Sequence, residues 1–312
     1  MRAASGSRPV PSGRGARWLV AFFVLLLIVG LGLIAYPTVA DWWNRAHQSR
    51  AVASYVRQTD DMGKAERRQL LDAAREYNER LEASAQTDQM ARWYDAMRPS
   101  DADRRSYESI LDVTGTGIMG YVTIPKLKTR LPIYHGTDDA VLQIAVGHLP
   151  GSSLPVGGEG THAVVSGHTG LPSARLLTGL DELRKGDTFA FHVLGRTLTY
   201  QVDQIKVVLP DNFKYLAIDP AKDYATLITC TPYGVNSHRL LVRGHRIPNP
   251  VAPDSTDYDW PGRLLLAAGA GLAVLLLIGA GAAIYRHMRS GTPRRGRHIA
   301  KTITTKGPHH GE

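Results

Sequence analysis

The stretch ATLITCTPYGVNSHRLLVRGHR, residues 225–246, consists of two runs of alternating apolar and polar residues joined by a turn. In YATLITC the alternation puts Thr226, Ile228 and Cys230 on one face and Leu227 and Thr229 on the other, because successive strand side chains point to opposite sides. Thr231-Pro232-Tyr233-Gly234 supplies turn residues, and HRLLVRG resumes the alternation immediately. Two strands therefore meet at one rim, and the first ends on the only cysteine of the 312-residue chain.

The same texture extends upstream to Gly117 in short β-branched runs broken by Gly and Pro: GYVTIP, RLPIYH, HAVVSG, DTFAFHVLG and RTLTYQVDQIKVV. Strands at this spacing predict an all-β, closed or nearly closed barrel. VLGRTLTY reads as a tight hairpin with Gly195 in its turn. LPSARLLTGLDELRKGD, residues 171–187, reads as a helix capped by Ser173 and stopped at Gly179. Residues 117–247 are enough for one independent core.

Further out the composition changes. Residues 41–110 are polar with helical spacing, and Leu70, Ala74, Tyr77 and Leu81 define one narrow apolar face. Such a stripe predicts a helical stalk or collar packed on a neighbouring domain and ended near Arg98-Pro99-Ser100. Trp18–Tyr36 and Leu264–Tyr285 are uncharged apolar runs near the roughly 20 residues that span a bilayer. The first exceeds the usual signal-peptide core of about 7 to 15 residues, which favours an uncleaved anchor. Residues 248–263 form a Pro- and Asp-rich linker to the second run.

The formal charge of +9 resides in the tails: +4 in residues 1–17 and +6 in residues 286–312, which leaves −1 between them. That middle has no net basic field for a nucleic-acid backbone, so no nucleic-acid partner is expected. Basic flanks predict both tails on the cytoplasmic side, against acidic membrane lipids, with residues 37–263 outside. One cysteine cannot form an internal disulfide, although that compartment permits one.

The strand alone leaves Cys230 as either a small buried hydrophobe or a nucleophile. A catalytic thiol needs a base or cation nearby, since the thiolate reacts and a free cysteine titrates near about 8.5. Eight histidines lie between the apolar runs. His192 reads as a sheet residue, His162 begins a strand, His135 ends one, and His148 falls in a Gly- and Pro-rich loop. His168 follows the run AVVS and is bracketed by Gly167 and Gly170, while His238 competes by closeness to Cys230. An oxyanion formed by attack on a carbonyl calls for a fixed cation, and Arg239 and Arg243 both qualify. Arg239 is nearer the turn, and Arg243 reads as a solvated position or a structural ion pair. One cysteine and scattered histidines show no zinc-ligand spacing, and no cofactor is expected.

TLITCTPYGVNSHRLLVRG resembles the active-site signature of sortases, with a TLxTC cysteine and an arginine nine residues later. GIMGYVTIPKLKTRLPIYHG, GHLPGSSLPVGG and VVSGHTGLPSARLL, which follow one another in that family's order, are similar to class C, the pilin-polymerising sortases. The resemblance covers roughly residues 112–247. It implies a closed barrel of about seven to eight strands with short helices, a helical N-terminal segment and two membrane helices. It also implies His168 as general acid and base, Cys230 as nucleophile and Arg239 as the substrate and oxyanion support. The implied reaction is transpeptidation of an LPxTG-like signal onto a pilin lysine amine. A wall-anchoring sortase using a peptidoglycan-precursor amine, and a non-enzymatic membrane-anchored scaffold, are the rival readings.

The expected order is a basic tail (1–17), a membrane helix or signal anchor (18–36) and an extracellular stalk or lid region (37–111). The catalytic barrel (112–247), linker (248–263), second membrane helix (264–285) and basic tail (286–312) follow. The sequence departs from class C in one respect: no Asp-Pro-aromatic lid tripeptide occurs between residues 41 and 117. Either Trp93, Tyr94 or another residue of RWYDAMRPSDADRRSY plugs the cleft differently, or there is no lid.

Overall fold

The computed structural model describes residues 13–85, 93, 95–96, 98–250, 269, 271, 273, 277 and 279–281. Residues 1–12 of the first tail, the whole second tail, most of the linker, most of the second apolar run, and Tyr94 lie outside the described residues. Among the described residues one helix, α1 (Gly13–Asp61), is long and apolar enough to cross a membrane. The described residues thus offer one candidate for the two expected spans.

Eight strands close a barrel: β1 (Ile118–Ile124), β2 (Thr129–His135), β3 (Val146–His148), β4 (Thr161–Ser166), β5 (Thr188–Val193), β6 (Arg196–Val208), β7 (Asp223–Thr231) and β8 (His238–Ile247). Their order around the barrel is β1-β2-β3-β4-β7-β8-β6-β5, and β5 pairs back to β1. The β2–β3 and β4–β7 pairs are parallel and the rest antiparallel. Closure leaves no open edge to recruit foreign strands. Inside, Phe189, Phe191 and Tyr200 stack with ring centroids 5.6 to 5.8 Å apart, each fully buried. Burying each such ring stabilises the fold by roughly 1.5–3 kcal/mol.

The predicted hairpin is present: Val193 pairs with Arg196, and Leu194 and Gly195 both have positive φ, as a two-residue primed turn requires. Leu194 is an unusual occupant of that conformation. Its N–H donates to Tyr55 Oη (2.9 Å), and the same hydroxyl donates to Met119 O (3.0 Å), so α1 pins the turn to β1.

Helices cover the barrel as a collar. α2 (Lys64–Ala85) buries Ala74 with Leu70, Leu71 and Tyr77 against the barrel core. Asn78 holds both backbone groups of Leu154, donating to its carbonyl (3.1 Å) and accepting from its N–H (2.7 Å). α3 (Asp101–Ser109) is N-capped by Ser100, whose hydroxyl accepts from Asp103 N–H (3.2 Å). Helix thus restarts where the sequence predicts a stop.

Two other expectations need correction. Residues 171–187 are not an α-helix: they are turns and a short 3₁₀ segment at Leu180–Glu182. Leu176, Leu177, Leu180 and Leu183 are all buried, and Leu176 has positive φ, so anchoring each leucine to the core overrides helical continuity. His148 does not lie in a loop but ends β3, fully buried. Its Nδ1 lies 2.7 Å from Tyr107 Oη, and its Nε2 lies 2.9 Å from Ser153 O. Burial lowers its pKa to about 4, so the imidazole is neutral, and burial raises that of Tyr107 well above the ordinary phenol value.

Candidate active site

Cys230 is the penultimate residue of β7, half-buried and reduced, and it pairs directly with Arg239 of β8. Pairing from Tyr224–His245 to Thr231–His238 is unbroken, so the nine-residue spacing between thiol and guanidinium follows from one hairpin register. On β7, Ala225 and Leu227 face the barrel core, while Thr226, Ile228 and Cys230 face outward. The thiol therefore opens onto the outer face of the sheet.

His168 reaches the same rim from the other side. β4 runs parallel to β7, with Ser166 opposite Ile228, and Gly167 N–H continues the ladder to Ile228 O (3.0 Å). Two residues past that pair stand His168 and Cys230, on neighbouring chains. Thr229, on the inner face, donates its hydroxyl to Gly167 O (2.8 Å), and Leu177 N–H donates to His168 O (3.1 Å). The histidine is held from before and after.

The two rim loops also touch. Gly170, at φ +77°, lets the Tyr233 ring approach so closely that a Cβ there would lie 2.7 Å from Tyr233 Cε2. Arg239 Nη1 donates to the carbonyls of Asn236 and His238, both at 3.2 Å, which folds the guanidinium back over the turn. The turn itself is tightened by bonds from Val235 and Asn236 N–H to Pro232 O (3.0 and 2.9 Å).

The remaining candidates lie elsewhere. Arg243 makes a bidentate pair with Asp203 (3.0 and 2.9 Å) and stacks 4.1 Å over Tyr224, the structural ion pair expected for it. His238 pairs with Thr231 beyond Cys230, and its Nδ1 lies 2.9 Å from Ser237 Oγ. His192 stacks on Tyr121 at 4.3 Å, and His162 is buried between Ala217 O (2.8 Å) and Thr226 Oγ1 (2.7 Å). His135 Nδ1 lies 2.9 Å from Gly117 O. Among the described residues no His, Cys, Asp or Glu cluster is arranged to hold a metal ion.

Trp93 occupies the outer face beside the thiol. It is buried in a cluster with Val164, Val208, Leu216, Ile228 and Leu241 and stacks on Phe213 at 5.1 Å. Ile228 is two positions before Cys230 on the same face, so the indole cluster adjoins the thiol. Gly151 permits this approach: a Cβ there would lie 2.5 Å from Ala96 Cβ and 3.3 Å from the Trp93 ring. Sequence reasoning named Trp93 but missed Thr229 and Tyr233. The Thr of TLxTC was the available signal for the former.

A closed barrel that brings a strand-end thiol to one rim, with a histidine just past one neighbouring strand and a guanidinium on the other, is an arrangement that cysteine-nucleophile chemistry can use. Residues 122–247 match the family model described as Sortase domain. The chain is 33% identical over 131 residues to sortase D of Bacillus subtilis (strain 168), covering 41% of this chain and 63% of that protein's length. The structure of sortase C1 from Streptococcus agalactiae is 46% identical with a TM-score of 0.59, covering 64% of this chain and all (100%) of that one. A sortase C from Streptococcus pneumoniae, in a structure described as giving insight into catalysis and pilin substrate specificity, is 42% identical with a TM-score of 0.55, over 65% of this chain and 99% of that one. The chain belongs to the sortase family of cysteine transpeptidases, and class C sortases are among its structural neighbours.

Proposed function

We propose that the chain is a membrane-anchored, pilin-polymerising sortase acting on the outer face of a Gram-positive cell. The observation that carries this reading is the Cys230–Arg239 register pair with His168 at the same rim, on a barrel similar to class C structures. The concern of one similar structure with pilin substrates supports the choice of acceptor.

The Cys230 thiolate attacks the Thr carbonyl carbon of an LPxTG-like signal in a surface protein or pilin subunit. The Thr–Gly C–N bond breaks, and His168 gives its proton to the leaving glycine amine. Arg239 turns from the carbonyls of its own turn toward the substrate oxyanion. A pilin lysine amine then attacks the thioester and loses a proton to His168, and the C–S bond breaks to release the thiolate. α1 anchors the enzyme through side chains exposed from Phe22 to Trp43, with both tails inside and Leu264–Tyr285 as a second span. Trp93 stands in for the missing lid tripeptide and covers the groove beside the thiol.

The test uses the full chain in detergent with an LPxTG peptide and a pilin subunit. A thioester adduct on Cys230 followed by a covalent pilin ladder is expected. An adduct resolved by a wall-peptide amine without any ladder means a wall-anchoring enzyme, and an inert thiol means a scaffold.

A further inference from the structure

The bonds between α1 and the barrel begin at the bilayer end of the helix. Asp41 Oδ1 accepts from Arg175 N–H (2.9 Å), and Asn44 Nδ2 donates to Ser173 O (2.8 Å). One turn further on, Gln48 Nε2 donates to Ile144 O (2.7 Å). Buried Val52, Tyr55 and Thr59 continue the same stripe along the barrel. The first two bonds grip the loop that follows His168.

α1 runs from Gly13 to Asp61 with Pro37 inside it, so position along its axis sets the greatest height a residue can reach above the bilayer. At 1.5 Å per residue, Asp41 and Asn44 stand roughly 8 and 12 Å beyond Tyr36, the end of the uncharged run. The polar layer outside the hydrocarbon is roughly 5–8 Å deep on each side. Trp42 and Trp43, both exposed beside Asp41, are residues that mark that layer. Pro172 and Arg175 are exposed on the gripped loop, and Ile144 is an exposed apolar residue on the next. Arg175, exposed and held to Asp41 by its backbone, is therefore within reach of that layer, and Asp41 is already paired with Arg45 (2.5 Å).

We propose that the barrel rests on the lipid surface through residues 171–175 and Ile144, with Arg175 against headgroup phosphate. This rests on α1 being retained as a membrane anchor. The His168 loop then works at the bilayer surface, and donor and acceptor peptides meet the rim at headgroup height.

The test is depth-resolved fluorescence quenching on the full chain in vesicles of phosphatidylglycerol and phosphatidylcholine. In a Cys230→Ala background, a thiol-reactive fluorophore is placed in turn at Pro172→Cys, Arg175→Cys, Leu26→Cys and Glu159→Cys. Glu159 is exposed beyond the opposite end of β4 from His168. The expected result is loss of signal to headgroup quenchers at 172 and 175, loss to acyl-chain quenchers at 26, and no loss to either at 159. Quenching at 26 with none at 172 and 175 overturns the resting face while leaving the anchor intact. No quenching at 26 overturns the anchor itself, and the proposal with it.

Discussion

Cys230 and Arg239 are direct partners across the β7–β8 ladder, so thiol and guanidinium are fixed to one another by backbone bonds and not by a flexible loop. Arg243 lies on the same strand but is committed to Asp203 and the Tyr224 ring. Replacing Arg239 with Ala is expected to lower kcat for LPxTG peptide by about 10²–10³-fold, the usual cost of removing one oxyanion support, with little change in melting temperature. Arg243→Ala is expected to do the reverse: near-normal kcat and a stability loss of about 1–2 kcal/mol for a partly exposed, stacked ion pair. Steady-state kinetics and thermal unfolding on both variants check the division.

Thr229 reaches the His168 segment through the Gly167 carbonyl. Thr229→Val keeps the shape but leaves the Gly167 carbonyl without its hydroxyl donor, next to His168. The lost bond costs about 1–3 kcal/mol. A positioning role predicts lower kcat with unchanged KM and an altered acidic limb in the pH–rate profile, with rescue by Thr229→Ser. A stability loss with an unaltered profile would mean a purely structural bond.

Trp93→Ala removes the buried indole from the outer-face cluster that includes Ile228, two positions before Cys230. Such truncations cost about 3–5 kcal/mol where the site cannot collapse, and here the loss falls on the covering segment. Faster alkylation of Cys230 and faster peptide cleavage are expected, measured by timed thiol labelling and mass spectrometry. Unchanged labelling would show that the indole packs without covering the thiol.

The neutral, buried His148 makes stability depend on pH. Its folded-state pKa of about 4 lies below the ordinary histidine value, so between the two the unfolded chain binds the extra proton. The stabilisation is complete above about pH 6.5 and falls as pH drops toward 4, by up to about 3 kcal/mol. Urea midpoints at pH 7.5 and 5 should differ in that direction, and His148→Gln should narrow the gap.

Much of this was legible in the sequence because alternation reports strands. β3 escaped: its three residues, Val146–His148, are too few to show a period, and their Gly-rich setting hid a buried histidine. The leucines of 171–187 misled because helical spacing and repeated anchoring of a loop to a core produce the same pattern. Cys230 and Arg239 were readable from their separation, since a hairpin turns sequence distance into contact. His168 was not, because its parallel neighbour β7 begins over fifty residues later, and parallel pairing leaves no mark on spacing. Only resemblance singled it out from His238.

The hairpin also constrains how this enzyme can diversify. Tyr233 and Val235 are exposed on the connecting turn, so their chemistry is open to change for the sake of different peptides. Its length is not open in the same way. Any insertion or deletion has to be absorbed within residues 232–237, because a register slip of one would turn Leu240 and Val242 out of the core together with moving Arg239. Turns grafted from relatives should therefore be interchangeable only when they leave the Cys230–Arg239 pairing in place, whatever their composition.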